Sequence, residues 1–151
     1  MICTKTFFIS LLSSCFITLA QANLGDIDED DLDNSLIVEG KELLQNEDWP
    51  AAITRFESAL DTTPNSADLH NFLGYAYRKS GDLDKAFLHY DKALEINPDH
   101  KAAIEYLGEA YIANGDLANA MAQLQKLKRL CSPIPCEELR ELEQALENAS
   151  R

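Results

Sequence analysis

ADLHNFLGYAYRKSGDLDKAFLHYDKALEINPDH, residues 67–100, decides how the rest of the chain is read. In its first half Leu69, Phe72, Leu73, Ala76 and Tyr77 fall at three- and four-residue spacing. In its second half Ala86, Phe87, Tyr90, Ala93 and Leu94 do likewise. That periodicity predicts two amphipathic helices, over 67–80 and 84–96, facing each other. Gly81 ends the first because it can take a left-handed conformation, and Asp82 can cap the second by accepting a backbone N–H. Pro98 stops the second helix. Gly74 and Ala86 lack bulk, so the two backbones can approach while Tyr77 and Tyr90 fill the gaps around them.

The pattern recurs on either side of this stretch at a fixed offset of 34 residues. Gly40, Gly74 and Gly108 keep it, as do Ala52, Ala86 and Ala120; Phe56, Tyr90 and Leu124; Ala59, Ala93 and Leu127; Leu43, Tyr77 and Tyr111; Asp48, Asp82 and Asp116; and Pro64 and Pro98. These residues resemble the tetratricopeptide repeat, a helix-turn-helix unit, in three copies at 33–66, 67–100 and 101–134. The resemblance implies an all-α fold, a right-handed α-α superhelix of three helix pairs. After the third copy, EELRELEQALEN at 137–148 places Leu139, Leu142 and Leu146 on one face under a charged opposite face. Region 135–151 is therefore predicted to carry a C-terminal capping helix and tail, which a solenoid needs to close its last apolar face.

Departures from the family pattern concern the ends. The first copy has Glu47-Asp48 where the others have Gly-Asp, and Trp49-Pro50 opens its second helix at a first-turn position that Pro tolerates. Glu39 stands where the family commonly has Leu, as expected of a helix with no preceding repeat to cover it. Leu127 replaces a small Ala, so the element after the third copy need not be a close-packed repeat.

The N-terminus reads differently. Lys5 followed by the apolar run Phe7 to Ala20, with Ala20-Gln21-Ala22 as a small-x-small site, predicts a cleavable export signal over 1–22, cut after Ala22. A looser alternative is lipidation at Cys15 within Leu12-Ser13-Ser14-Cys15. Removing 1–22 leaves 12 basic against 26 acidic side chains, a net charge of −14, and only Cys131 and Cys136 of the four cysteines. The chain is thereby expected to be periplasmic or secreted, with no membrane span in its mature part. Residues 23–32 form an acidic leader expected to be disordered, because the segment LGDIDEDDLD at 24–33 offers six carboxylates and little to bury.

Such acidity excludes a nucleic-acid partner, since no basic stripe exists to displace counterions from phosphates. No Gly-rich phosphate loop, nucleophile elbow or zinc-binding His spacing is present, so no catalytic residue, metal ligand or cofactor is assigned. Of the histidines, His70 occupies the packing slot shared with Leu36 and Ile104, His89 is expected to be exposed, and His100 reads as a turn or helix start. Cys131-Ser132-Pro133-Ile134-Pro135-Cys136 is expected to hold a disulfide that fixes the cap. The alternative is a redox or copper-handling thiol pair.

In the family, the first helix of each pair lines the concave groove where peptides bind. The resemblance implies groove positions Asn34, Ile37, Lys41 and Leu44 in the first copy. It implies Asp68, Asn71, Tyr75, Arg78 and Lys79 in the second, and Ala102, Glu105, Glu109 and Ile112 in the third. Lys41, Asn71, Tyr75, Arg78, Glu105, Glu109 and Ile112 are the residues expected to meet a protein or peptide partner, with Glu105 and Glu109 favouring basic groups on it. The clamp that grips chaperone tails by their C-terminal carboxylate is absent, because its positions hold Ile37, Lys41, Phe72, Ala102 and Tyr106. The resulting expectation is a non-catalytic interaction module of the bacterial cell envelope, its oligomeric state unspecified.

Overall fold

The computed structural model describes residues 29–151, with side chains from residue 34 onward. The predicted export signal, its cleavage after Ala22, the Cys15 alternative and residues 23–28 of the acidic leader lie outside the described residues. Among the described residues seven helices follow one another: α1 Glu29–Gln45, α2 Trp49–Leu60, α3 Ala67–Ser80, α4 Leu83–Ile96, α5 Lys101–Ala113, α6 Leu117–Leu130 and α7 Glu137–Ala149. Among the described residues there is no strand, and no helix is long and apolar enough to cross a membrane.

The punctuation works as its chemistry requires. Gly81 and Gly115 adopt φ of +91° and +78°, the left-handed region that a residue without Cβ enters freely. Asp82 and Asp116 accept hydrogen bonds from the backbone N–H of Lys85 and Asn119, and Asp48 does so from Ala51. In the first copy, where no glycine is available, Glu47 takes the left-handed position itself at φ 58°. Helix α1 departs from expectation by starting at Glu29, taking in the last four residues of the leader expected to be disordered. Those residues include no Pro or Gly to stop a helix from extending backwards.

Each helix packs on its chain neighbours: α1 on α2, α2 on α3, α3 on α4, α4 on α5 and α5 on α6. Within each of the first two pairs a ring closes over a glycine. A Cβ on Gly40 would stand 2.5 Å from the Phe56 ring, and one on Gly74 would stand 2.5 Å from the Tyr90 ring. Buried Ala52, Ala59, Ala86 and Ala110 let the layers close around Phe56, Leu73 and Tyr90. The all-α solenoid of helix pairs is thus built on the positions that repeat.

One expectation, for His89, needs correcting, and the cap adds a feature of its own. Helix α7 is a single helix that packs closely against both α5 and α6. Its Leu142 is fully buried and reaches the space over Gly108 that aromatic rings fill in the other copies, and Leu127 is buried in the same cluster. The bulk of Leu127 therefore helps fill the seam below the cap. His89, expected to be exposed, is half-buried: its Nδ1 stands 3.1 Å from His70 Nδ1, and its ring stacks on Tyr77 at 5.4 Å. His70 is buried in its packing slot, and His100 caps α5 by accepting from the Ala103 N–H.

Candidate functional site

Helices α1, α3 and α5 carry the groove positions, and the cap comes to rest beside α5. Lys41 and Leu44 on α1, Asn71, Phe72 and Tyr75 on α3, and Ala102 and Tyr106 on α5 line a cavity of about 330 Å³ together with Gln45. Five of these, Lys41, Leu44, Asn71, Tyr75 and Ala102, were expected on the wall, and Lys41, Asn71 and Tyr75 among them were expected to meet a partner. Phe72, Ala102 and Tyr106 occupy positions where a carboxylate clamp would have polar or basic side chains, and they make a largely apolar pocket there instead. The pairing of Phe72 and Tyr106 was visible as a 34-residue offset. Their aromatic character was the available signal.

The pocket is framed by rings. Phe56 stacks under Phe72 at 5.2 Å, and Tyr75 meets Tyr106 at 5.1 Å and Trp49 at 6.1 Å. Lys41 Nζ lies 4.9 Å above the Phe72 ring, and Lys79 Nζ lies within 6.0 Å of both Trp49 and Tyr75. Cations over ring faces are attracted by the ring quadrupole, so the pocket mouth combines positive charge with apolar walls. Inside it, Asn71 is only 3% exposed, and its Oδ1 receives no hydrogen bond.

Arg78, Glu105, Glu109 and Ile112 behave differently from expectation. The Arg78 guanidinium bonds Glu109 at 2.6 Å, reaches the Tyr90 hydroxyl at 3.4 Å and lies over Tyr75 and Tyr106, so Arg78 and Glu109 are engaged with each other. Ile112 packs on the C-terminal core, which Leu139 and Leu142 of the cap help to form. Glu105 is 3% exposed beside the cap. Its carboxyl is pushed up to about 8, first by burial and then by Glu141, with Glu109 and Glu138 adding like charge. It therefore holds a proton at neutral pH and does not present the free anion expected of it.

At the other end of α6, Cys131 and Cys136 have Cα atoms 5.4 Å apart, within the range a disulfide spans, and Cys131 is buried against the cap. Among the described residues no three His, Cys, Asp or Glu side chains are arranged to hold a metal ion.

Stacked helix pairs with a lined wall define a repeat protein of the helical solenoid class. Two family models, both described as tetratricopeptide repeat, match residues 37–101 and 77–130, which together span more than half of the chain. The chain belongs to the tetratricopeptide repeat family. Its fold is similar to that of the TPR2B domain of yeast Sti1, solved as a pHsp70 complex, at 24% identity and TM-score 0.72, covering 79% of this chain and 96% of that one. It is also similar to the type III secretion translocator chaperone SycD of Yersinia enterocolitica, at 19% identity and TM-score 0.72, covering 81% of this chain and 92% of that one. The Sgt2 TPR domain of Aspergillus fumigatus aligns at 22% identity and TM-score 0.69, over 79% and 77% of the two chains. No curated protein matches.

Proposed function

We propose that the chain is a non-catalytic interaction module of the bacterial cell envelope that binds an extended segment of another protein along the wall of α1, α3 and α5. The observation that carries this reading is the aromatic pocket with the unanswered Asn71 Oδ1 inside it. A buried acceptor without a donor costs about 1–3 kcal/mol, and the backbone N–H of an extended segment is a donor that could satisfy it. The apolar walls formed by Leu44, Phe72, Tyr75 and Tyr106 suit one apolar side chain of that segment. Support comes from solved relatives in fold: one is a complex with pHsp70, and another is a secretion chaperone. The present pocket lacks a carboxylate clamp, so an internal segment fits it better than a chain terminus.

The envelope setting rests on the apolar N-terminal stretch and on a chain that keeps just two cysteines after cleavage. Their Cα atoms lie within disulfide reach and Cys131 is buried with Leu139 and Leu142 of the cap, which supports a structural clasp over the thiol-dependent redox or copper reading. Thiol counting by alkylation and mass spectrometry of exported protein tests this, and two free thiols would restore the alternative. For the groove, a photocrosslinking side chain placed at Tyr75 should give a discrete adduct in the native envelope. One placed at Met121, exposed on α6, should not. Identical patterns from the two positions would sink the groove reading.

A further inference from the structure

The wall does not end at the aromatic pocket. Beyond Ala102 and Tyr106, which belong to both, lies a second cavity of about 280 Å³ lined by Glu105 of α5 and by Glu137, Glu138 and Glu141 of α7. It contains four carboxylates and no cationic side chain. The ion pairs formed among the described residues use Glu39, Asp68, Asp82, Glu95, Glu109, Glu143 and Glu147, and none uses these four. Glu105 is 3% exposed; its carboxyl shares a hydrogen bond with Glu141, but its Oε1 receives none. Asn71 stands 34 residues earlier, at the same repeat position on α3, and it too is 3% exposed with an unanswered side-chain oxygen. Two successive repeats thus bury the same kind of unmet acceptor in adjoining cavities along one wall.

We infer that this second cavity is a subsite for a basic side chain, the ammonium of a lysine or the guanidinium of an arginine, on the segment that occupies the aromatic pocket. The inference rests on the groove reading and adds the partner's charge to it. An N–H donor of that cation supplies Oε1 with the hydrogen bond it lacks and offsets the negative charge of Glu137, Glu138 and Glu141, and of Glu105 once its proton has left. The Tyr106 ring forms a wall that attracts cations. The chain already shows the arrangement on the neighbouring side, where Arg78 lies 5.7 Å from the Tyr106 centroid and pairs with Glu109. No metal-holding arrangement of three ligands exists among the described residues, which selects an organic cation.

Entry of the cation exchanges charge for charge: the carboxyl proton of Glu105 leaves to solvent as the basic group arrives. The groups that face this exchange are Glu109 and Tyr106 on α5, Glu137, Glu138, Glu141 and the exposed Arg140 on α7, and Arg78 on α3. Neighbouring helix axes lie about 10 Å apart and an extended chain rises about 3.3 Å per residue. The basic residue therefore falls about three residues from the apolar anchor.

Phage-displayed random dodecapeptides selected on the purified protein test this. Enriched sequences should carry Lys or Arg at a fixed short spacing from an apolar residue, and replacing that residue by Ala should weaken binding about tenfold or more. The Glu105→Gln/Glu138→Gln/Glu141→Gln variant should keep the apolar preference and lose the basic one. Glu141→Gln alone, at an exposed position, should lower it in part. Affinity for a selected peptide should rise about tenfold from pH 7 to pH 9 as the proton of Glu105 ceases to compete, and calorimetry should show proton release at pH 7 that Glu105→Gln abolishes. Peptides that need Tyr75 but show no basic preference, or a preference that survives the triple variant, overturn the subsite alone. Peptides indifferent to Tyr75→Ala, or no enrichment at all, overturn the groove and the subsite together.

Discussion

Glu47 holds a backbone conformation that its two counterparts leave to glycine, and it is exposed with φ at 58°. A side chain in the left-handed region costs roughly 1–2 kcal/mol, and part of that is recovered when glycine, with its freer unfolded chain, replaces it. Glu47→Gly should therefore raise stability by about 0.5–1 kcal/mol, read as a higher midpoint in thermal or urea unfolding followed by circular dichroism. Glu105 gives a prediction with a pH signature. Its carboxyl binds a proton up to about 8 in the folded chain against an ordinary 4.5, so the folded state holds more protons across that window. Its contribution is fully present below 4.5 and is lost as pH rises through 8. Glu105→Gln should therefore gain melting temperature over the parent chain progressively from pH 5 to pH 8.5. A difference that stays constant across that range would refute the account. The acidic type of Glu105 was legible in the sequence, but its burial was not, because exposure at that position depends on a helix more than thirty residues downstream.

Among the helices, the three glycines that repeat do not carry equal loads. A Cβ on Gly74 would meet the Tyr90 ring, a rigid body wedged in the core, at 2.5 Å, whereas one on Gly108 would meet the methyl ends of Leu142 at 2.7 Å. A leucine can rotate aside, but a buried tyrosine ring cannot do so without moving its helix. Gly74→Ala should cost about 1–3 kcal/mol and Gly108→Ala distinctly less, as equilibrium unfolding of the two variants will tell. The helix pairs themselves were readable, because α3 matches the expected 67–80 and α4 begins one residue before the expected 84. Periodicity and end signals are local chemistry, and local chemistry set those limits. The close docking of α7 was not readable. Leu142 fits over Gly108 only because Leu124, the residue at the ring position of the third copy, leaves that space to it, a choice made in three dimensions.

In the whole molecule, contacts run between neighbouring elements, and charge is sorted along the wall from lysines at the α1–α3 mouth to carboxylates under the cap. Acid should act from inside the stack. His70 and His89 both have pKa values lowered chiefly by burial; Lys92 and Lys85 press in the same direction, while Pro64 and Glu57 oppose it. With His70 Nε2 donating to the Pro64 carbonyl, His70 Nδ1 accepts from His89 Nδ1–H, a bond that a second proton destroys. The unfolded chain then binds more protons, so the pair's contribution is present above the ordinary 6.5 and is lost as pH falls below it. A chain carrying His89→Phe should show a flatter loss of melting temperature between pH 6.5 and pH 5 than the parent. The sequence by itself determined the helical class, the repeat length, the turn chemistry and the identity of the wall helices, because each depends on residues within one helix pair. The tertiary structure alone decided which wall residues stay uncovered. It paired Arg78 with Glu109, placed Ile112 and Glu105 beside the cap and turned Phe72 and Tyr106 into a pocket, because exposure is set by what the next layer covers.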